Sequence, residues 1–243
     1  MNSEPVLPES NQCEDIQSLH SRFLPALLHE LRSPVHTLNY FWQFFFKDTQ
    51  QIEFNERSQE SLLVIQKSIS EMKSLVESLA DYVHAADEKI LKPIDVVQSI
   101  QLVAKSVCDA ADAEHRIQYQ VDVPEHELTL IGDRGAFELA AKAILANSIC
   151  FQKPDTDLQI DIRIRCENAL IIEFIDNGRG ISPEYLHKVY EPFQRLQSRR
   201  DASGAGLGVP TAMLAIRHMQ GRLEVESDGV NGTTVRLTFP IHA

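Results

Sequence analysis

The sequence lacks a long apolar run, which limits its relation to membranes. The aromatic-rich apolar stretch Phe41–Phe46 is short and is interrupted by Gln43. A membrane-spanning helix needs about 20 apolar residues. The N-terminal residues MNSEP also lack the basic and apolar regions of a signal peptide. We therefore expect a chain without a membrane span, located in the cytoplasm.

Basic residues and closely spaced cysteines are scarce as well. The 23 lysines and arginines are outnumbered by 35 aspartates and glutamates, which gives a formal net charge of −12. A general nucleic-acid binder needs a basic surface for phosphate contacts, so no nucleic-acid partner is expected. The four cysteines form no CxxC pair and no Cys/His metal spacing: Cys13, Cys108, Cys150 and Cys166. This spacing indicates a reducing compartment.

The chain does contain two long segments in which apolar residues recur at alternating spacings of three and four. In the first they are Leu24, Leu28, Leu31, Val35, Leu38, Trp42 and Phe45, and in the second Leu62, Ile65, Ile69, Met72, Val76, Leu79 and Val83. This rhythm predicts two helices with coiled-coil-like seams. The polar segment 47–57 separates them, so we predict a helical hairpin.

A single hairpin cannot cover both seams, and a second copy of the chain is the expected partner. Two hairpins would form a four-helix bundle, and the protein would be a homodimer. The competing interpretation is a monomeric hairpin packed on the rest of the chain. His29 directly follows the seam residue Leu28, so its ring is expected at the shoulder of the bundle, within reach of solvent.

Beyond a break at Pro93, the pattern changes to short strands and helices. Two hairpins are predicted, Leu158–Ile164 with Leu170–Ile175 and Arg222–Glu226 with Thr233–Phe239, besides an apolar helix through Phe137 and Leu145. The fold class is therefore multidomain: a helical hairpin followed by an α/β sandwich, in which helices back a mixed sheet. The predicted domains are a flexible leader (1–18), the hairpin (19–88), a linker (89–95) and the sandwich (96–243).

The first candidate site surrounds His29. A neutral imidazole nitrogen can attack phosphorus when the other nitrogen shares its proton, and the adjacent Glu30 can hold that proton. The hydroxyl of Ser33 lies one helical turn away and could position water for hydrolysis of phosphohistidine. Pro34 removes a backbone hydrogen bond and should bend the helix. A lone histidine is usually structural, but this combination favours a phosphate-accepting nucleophile.

The second candidate site is Asp176-Asn177-Gly178-Arg179-Gly180, at the end of a predicted apolar strand. A carboxylate there can accept a hydrogen bond from an exocyclic amine such as that of adenine. Gly178 and Gly180 let the backbone turn sharply beside a flat base. Because Asp-Asn-Gly is also ordinary turn chemistry, the motif gains meaning only beside the others.

The third candidate site is Gly204-Ala205-Gly206-Leu207-Gly208, ahead of a predicted helix over 210–218. Amide groups and the dipole at a helix N-terminus favour phosphate. The preceding basic stretch contains Arg195 and Arg199 and has no apolar periodicity. It predicts a mobile lid whose arginines fold over a triphosphate, with a solvated loop as the alternative.

A fourth candidate is Asn147, a polar residue on an otherwise apolar helix. Its amide either caps a neighbouring group or presents its carbonyl oxygen to a cation. Mg²⁺ takes oxygen ligands and shares them with substrate phosphates, so a single asparagine would suit it. Both interpretations stay open from this residue alone.

Taken in order, these motifs resemble the catalytic core of two-component sensor histidine kinases: a phosphoacceptor and dimerisation hairpin followed by a GHKL-type ATPase domain. The resemblance covers about residues 19–241. His29 to Pro34 resembles the H box, Asn147 falls in the N box, Asp176 to Gly180 resembles the G1 box, Glu191-Pro192-Phe193 the F box, and Gly204 to Gly208 the G2 box. Gly232-Thr233-Thr234 is similar to the closing strand motif, whose threonine supports adenine recognition.

The resemblance implies roles for these residues. His29 would accept the γ-phosphoryl group of ATP with the help of Glu30, Asn147 would ligate Mg²⁺, and Asp176 would read the adenine. Phosphohistidine would then pass to an aspartate on the receiver domain of a response regulator, docked on exposed side chains within 40–45 and 62–69. Ser33 would make the enzyme a phosphatase as well. The leader is too short for a sensor fold, so we expect either a separate sensor protein or a longer parent kinase.

Two departures from the family pattern support an alternative. The polar residue usually found one turn before the Mg²⁺-binding asparagine is Ala143 here, and the basic residue usually found three positions after it is Cys150. Each charge-assisted contact is worth about 1.5–3 kcal/mol, so phosphate and metal binding could be weakened. The competing hypothesis is a dimeric adaptor or phosphotransfer protein that binds regulators without efficient kinase activity.

Overall fold

The chain divides into two units, Met1–Val83 and His84–Ala243. The computed structural model describes residues 24–49, 55–85, 91–111, 116–124, 128–194 and 205–240. Within these residues no helix is both long and apolar enough to cross a membrane. Each unit is described by itself below.

The first unit contains the two helices that the seams predict. They are α1 (Leu24–Asp48) and α2 (Glu56–Ala85). Asn55 caps α2, because its Oδ1 accepts a hydrogen bond from the backbone N–H of Ser58 at 2.9 Å. The helix α1 includes Pro34 and continues for fourteen residues beyond it. The proline therefore does not end the helix.

Burial in this unit alternates along the predicted seams. The buried seam residues are Leu28, Val35, Ile69 and Val76. The exposed ones are Leu31, Leu38, Phe45, Ile65 and Met72. From Leu28 to Leu38 on α1 and from Ile65 to Val76 on α2, covered and open seam positions alternate, so a large part of the apolar seam stays accessible in a single chain.

The second unit is an α/β structure built on a five-stranded sheet. In chain order its elements are β1 (Lys92–Asp95), α3 (Val96–Ala111), β2 (Ile117–Asp122), β3 (Thr129–Gly132), α4 (Arg134–Cys150), β4 (Leu158–Cys166), β5 (Ala169–Asp176), a 3₁₀ helix (Pro183–Tyr190), α5 (Gly208–Arg217), β6 (Arg222–Ser227) and β7 (Thr233–Pro240). The sheet has the order β2-β4-β5-β7-β6. Strands β2 and β4 are parallel, and the other neighbours are antiparallel. Strands β1 and β3 pair separately.

Period-two alternation in the strands explains how the sheet buries one face. In β4 the buried side chains are Leu158, Ile160, Ile162 and Ile164, and in β7 they are Val235, Leu237 and Phe239. Helix α4 contacts both α3 and α5, and these helices share the core with the strands. The ring of Phe137 on α4 lies 5.9 Å from that of Phe239. The polar residues between the buried ones form the opposite face of the sheet.

Aspartates begin two of the helices. The Oδ1 atom of Asp95 accepts a hydrogen bond from the N–H of Gln98 at 2.9 Å, at the start of α3. Asp133 does the same for Ala136 at 2.7 Å, at the start of α4. Each carboxylate satisfies a backbone donor that the first helical turn leaves unpaired. The cap of α4 fixes the start of the helix that carries Asn147.

The predicted fold class is confirmed: helices precede an α/β sandwich, and both predicted hairpins are present as β4–β5 and β6–β7. Helix α5 begins at Gly208, two residues before the predicted start, with Pro210 in its first turn. The small sheet of β1 and β3 was not predicted, and β1 occupies part of the segment expected to be a linker. The domain boundaries stay predictions.

Candidate functional site

Asp176 stands at the C-terminal end of β5, where its carboxylate collects three donors. Its Oδ1 accepts hydrogen bonds from the backbone N–H groups of Gly178 at 2.8 Å and Thr233 at 3.2 Å. Its Oδ2 accepts one from the hydroxyl of Ser148 at 3.0 Å. Burial raises the pKa of Asp176, while the three donors and the charge of Lys153 act in the opposite direction. The site therefore holds a half-buried acceptor in a fixed orientation.

The glycines around Asp176 are required by close backbone contacts. A Cβ on Gly178 would lie 2.8 Å from Oδ1 of Asp176 and 2.9 Å from the carbonyl oxygen of Phe151. Gly232 has a φ of +106°, and a Cβ there would overlap the carbonyl oxygen of Asp176. Gly180 has a φ of +74°, and a Cβ there would lie 2.9 Å from the backbone nitrogen of Val230. These glycines allow the turn after β5 to pack closely against Phe151 on one side and the loop before β7 on the other.

The turn after Asp176 is anchored by its polar residues. The amide of Asn177 donates to the carbonyl oxygen of Asp157 at 3.0 Å and accepts from the N–H of Gln159 at 2.9 Å. The guanidinium of Arg179 donates to the carbonyl oxygen of Gln152 at 3.0 Å. The turn is thereby tied to the segment between α4 and β4. Sequence reasoning treated these two residues only as members of the motif.

Asn147 lies against Gly208. The structure thus brings the predicted Asn147 site together with the glycine-rich segment that contains Gly208. The Oδ1 and Nδ2 atoms of the half-buried Asn147 are both 2.6 Å from the position that a Cβ on Gly208 would occupy. A larger residue at 208 would displace the amide. Leu207, directly before Gly208, is buried at the N-terminus of α5. The asparagine thus stands beside a helix N-terminus, which favours anionic ligands.

Phe193 and Gly206 are joined through their backbones. The N–H of Phe193 donates to the carbonyl oxygen of Gly206 at 3.0 Å. A Cβ on Gly206, whose φ is +70°, would lie 2.5 Å from the carbonyl oxygen of Gln194. The ring of Phe193 remains 55% exposed. Its side chain is therefore available at the surface rather than packed in the core.

Other predicted site residues are not brought together in the described part of the chain. Arg195, Arg199 and Gly204 lie outside the described residues. For His29 and Glu30 the structure describes the helical backbone within α1 but not the side chains. Ser33 is an exposed residue of the same helix. Their proposed roles rest on the sequence.

Two serines complete the site and were not singled out from the sequence. Ser148 links Asn147 to Asp176, because it directly follows Asn147 in the chain and its hydroxyl donates a hydrogen bond to Asp176. Ser227 accepts from the N–H of Ile181 at 2.9 Å and donates to the carbonyl oxygen of Gly232 at 2.6 Å. The signal for Ser148 was a second polar residue on an apolar helix face. Ser227 ends an ordinary amphipathic strand and gave no signal.

Asn147 is also the residue that could hold a magnesium ion. Among residues 24–49, 55–85, 91–111, 116–124, 128–194 and 205–240, no three or more histidines, cysteines, aspartates or glutamates are grouped to hold a metal. One neutral amide oxygen fits a Mg²⁺ that takes its remaining ligands from phosphates and water, as this ion commonly does. Ala143 is half-buried against the core, and Cys150 is the last residue of α4.

The model of a protein family matches the second unit. Residues 132–243 match the family described as histidine kinase-, DNA gyrase B- and HSP90-like ATPases. This segment includes α4 and every strand and helix after it. It therefore contains all the contacts of Asp176 and Asn147 given above.

Curated relatives are similar over nearly the whole chain. The phosphate regulon sensor protein PhoR of Haemophilus influenzae is 23% identical over 246 residues, covering 98% of this chain and 56% of the relative. The signal transduction histidine-protein kinase BaeS of Escherichia coli is 23% identical over 236 residues, covering 94% of this chain and 48% of the relative. The chain thus spans about half the length of these two relatives.

Solved structures share the fold. The full-length ShkA in complex with AMPPNP aligns with a TM-score of 0.66 at 18% identity, covering 92% of this chain and 47% of that one. The mycobacterial sensor histidine kinase MprB aligns with a TM-score of 0.53 at 22% identity, covering 62% of this chain and 97% of that one. At these identities the likeness establishes the architecture.

Proposed function

We propose that the chain is an ATP-dependent protein-histidine kinase, because residues 132–243 match the histidine kinase-, DNA gyrase B- and HSP90-like ATPases and nearly the whole chain is similar to sensor histidine kinases. It autophosphorylates His29 from Mg-ATP and passes the phosphoryl group to an aspartate of a response regulator. The observation that carries the proposal is the half-buried carboxylate of Asp176, oriented by three donors at the end of β5.

The nucleotide would bind between the carboxylate of Asp176 and the N-terminus of α5. Asp176 accepts the hydrogen bond of the exocyclic amine of adenine, and Gly178, Gly180 and Gly232 let the backbone approach the base. Phosphates lie toward the start of α5, where backbone amides favour negative charge. Mg²⁺, held by Asn147 and the phosphates, would neutralise part of the phosphate charge.

The phosphoryl transfer itself would occur at His29. One imidazole nitrogen forms a bond to the γ-phosphorus, the bond from that phosphorus to the β–γ bridging oxygen breaks, and ADP leaves. Glu30 holds the proton on the other imidazole nitrogen and keeps the attacking nitrogen basic. The aspartate of a receiver domain then takes the phosphoryl group from the phosphohistidine. Ser33, one turn from His29, would position water for the phosphatase reaction.

The first unit would supply the dimer and the docking site for the regulator. The open seam positions support pairing of two hairpins into a four-helix bundle, because they leave apolar side chains accessible in a single chain. Farther along α1, Tyr40, Phe41 and Phe44 are exposed, and on α2 so are Leu63 and Val64. These side chains would contact a receiver domain. We place the reaction in the cytoplasm, where ATP is available.

A specific observation keeps a second function in view. Ala143 and Cys150 replace the polar and basic residues that the family usually has in the helix of Asn147. If their absence weakens phosphate and metal binding by about 1.5–3 kcal/mol per contact, kinase activity would be inefficient. The chain would then act as a dimeric adaptor that binds regulators.

Incubation with γ-labelled ATP and Mg²⁺ separates these two functions. We expect acid-labile label on the wild-type protein and none on His29→Gln. The matched control is His36→Gln, two turns farther along the same helix and exposed, which should retain label within about twofold. Label should then move to a receiver domain upon its addition.

Two results would contradict the kinase. If the wild-type protein takes up no label at high ATP while still binding a receiver domain, the adaptor is the correct function. If His29→Gln retains acid-labile label, the phosphoacceptor is a different residue.

A further inference from the structure

Ser148 occupies a position from which it controls the second oxygen of Asp176. The serine lies in the last turn of α4 and is 5% exposed. Its Oγ is 3.0 Å from Oδ2 of Asp176 and 3.5 Å from the carbonyl oxygen of Ile144. A hydroxyl has one proton to donate, and a bond to a carboxylate is the stronger of the two. The serine therefore donates mainly to Asp176.

The donors are divided unequally between the two carboxylate oxygens. Oδ1 receives the N–H groups of Gly178 and Thr233, and Oδ2 receives only the hydroxyl of Ser148. Each carboxylate oxygen accepts about two hydrogen bonds. The protein's own groups therefore fill the capacity of Oδ1 and leave Oδ2 able to accept one more donor.

The same division shows what the serine adds geometrically. Two donors at Oδ1 fix that oxygen in place but still allow the carboxylate plane to turn about it. A donor at Oδ2 fixes the second oxygen, and with it the plane. Without the hydroxyl, only the surrounding packing would restrain that plane.

We propose that Ser148 is a positioning residue that holds Oδ2 of Asp176 in place to receive the 6-amino group of adenine, and that it thereby contributes to the choice of base. The inference rests on the proposed nucleotide binding. A base with a 6-oxo group presents an acceptor to Oδ2, and a fixed carboxylate cannot turn away from it. A mobile carboxylate can turn away from the 6-oxo group. Loss of the hydroxyl therefore weakens the discrimination between 6-amino and 6-oxo bases as well as the affinity for adenine.

Base selectivity distinguishes this role from mere support of the fold. Binding of ADP and of inosine diphosphate, which carries the 6-oxo group, is measured by calorimetry on the full chain without Mg²⁺, so that Asn147 is not involved through the metal. We expect Ser148→Ala to weaken ADP binding about fivefold and to change inosine diphosphate binding less than about twofold. The ratio of the two affinities therefore falls.

Three further variants make the result specific. Ser148→Thr keeps the hydroxyl and should retain the wild-type ratio, whereas Ser148→Cys keeps the volume with a weaker donor and should give an intermediate ratio. Ser99→Ala is the matched control: it removes a buried hydroxyl of α3 that has no hydrogen-bond partner among the described residues, and it should leave both affinities unchanged. Circular dichroism melts confirm that each variant is folded.

The outcomes differ for this inference and for nucleotide binding itself. The inference is overturned if Ser148→Ala and Ser148→Cys each lower the affinities for ADP and inosine diphosphate by the same factor, or lower neither affinity. Ser148 would then not position the carboxylate. The inference stands if the wild-type chain binds ADP and the ratio of ADP affinity to inosine diphosphate affinity falls in Ser148→Ala but not in Ser99→Ala. If the wild-type chain binds neither nucleotide, the proposed function fails first.

Discussion

The carboxylate of Asp176 is an example of burial outweighing hydrogen bonding at a single residue. It accepts three hydrogen bonds, each of which favours the charged form, yet burial still raises its pKa above the ordinary value. The folded state thus favours the protonated carboxyl. The contribution of this group to stability is present below its ordinary pKa and is lost as the pH rises through its raised pKa.

Replacement of Asp176 by asparagine should therefore stabilise the fold near neutral pH while removing base recognition. The amide oxygen can accept from Gly178 and Thr233, and the amide nitrogen can donate to the oxygen of Ser148. The free energy of unfolding of Asp176→Asn, from urea denaturation, should exceed that of the wild type at about pH 7.5, and the difference should shrink toward about pH 5. ADP affinity should fall at least about tenfold, because an acceptor becomes a donor.

A variant that is less stable than the wild type at both pH values would contradict the assignment of burial as the dominant effect. Asp155→Asn serves as the control. Asp155 is exposed and lies in the turn between α4 and β4. Its replacement should change the free energy of unfolding by less than about 0.5 kcal/mol at either pH.

At the scale of elements, the outer face of the sheet is held by a row of charges across three strands. Glu173 on β5 is directly opposite Arg236 on β7, which is opposite Glu224 on β6. The guanidinium of Arg236 lies 3.0 Å from Glu173 and 2.9 Å from Glu226. Only 13% of the side chain of Glu173 is exposed. The central arginine therefore neutralises a largely covered carboxylate.

Arg236→Ala should lower the free energy of unfolding by about 1–3 kcal/mol, because it leaves Glu173 partly buried without its main partner. Urea denaturation monitored by circular dichroism measures this. The matched control is Arg222→Ala. The side chain of Arg222 is 77% exposed, and its guanidinium lies 3.0 Å from Glu224. An exposed pair of this kind contributes about 0–1 kcal/mol. Equal losses in both variants would show that burial of Glu173 does not matter.

The elements that could be predicted from the sequence are those whose pattern is local. The seams of α1 and α2 and the alternation in β4, β5 and β7 express periods of 3.6 and 2 that any window of ten residues reveals. The sheet of β1 and β3 could not be predicted in this way. Its strands have four residues each, β1 contains Pro93, and their pairing joins positions about 37 residues apart.

The candidate site likewise combines features that a local sequence pattern predicts with features that depend on tertiary packing. Asp176, Gly178, Gly180 and Asn147 stand in short motifs that occur in one order along the chain, so they could be proposed from sequence when the motifs are taken together. The contact between Asn147 and Gly208 and the bond from Ser148 to Asp176 depend on how α4, α5 and β5 pack. Such contacts follow from tertiary structure, and no spacing along the chain encodes them.

At the scale of the whole molecule, the first unit leaves apolar side chains open in a regular pattern. Leu38 is 49% exposed and Ile65 is 45% exposed, although both lie on the predicted seams. Pairing of two chains would cover them, and burial of apolar surface is the main favourable contribution to such association. This pattern is the physical basis for expecting a dimer.

The double variant Leu38→Asp, Ile65→Asp should be monomeric at low micromolar concentration in sedimentation velocity, and the wild type dimeric. Each copy would bring two carboxylates into an apolar interface, at a desolvation penalty of several kcal/mol per charge. Val64→Asp is the control, since Val64 is 64% exposed and lies off the seam. It should remain dimeric. A wild-type chain that sediments as a monomer would rule out the four-helix pairing.

The convergence on Asp176 has a consequence for protein design. Its three donors come from α4, from the turn after β5 and from the first residue of β7, and the glycine that makes room for this arrangement precedes β7. These parts are spread over residues 148–233, so no short peptide contains them. Anyone grafting this recognition feature onto another scaffold would have to transplant a helix, two strands and their crossing geometry together.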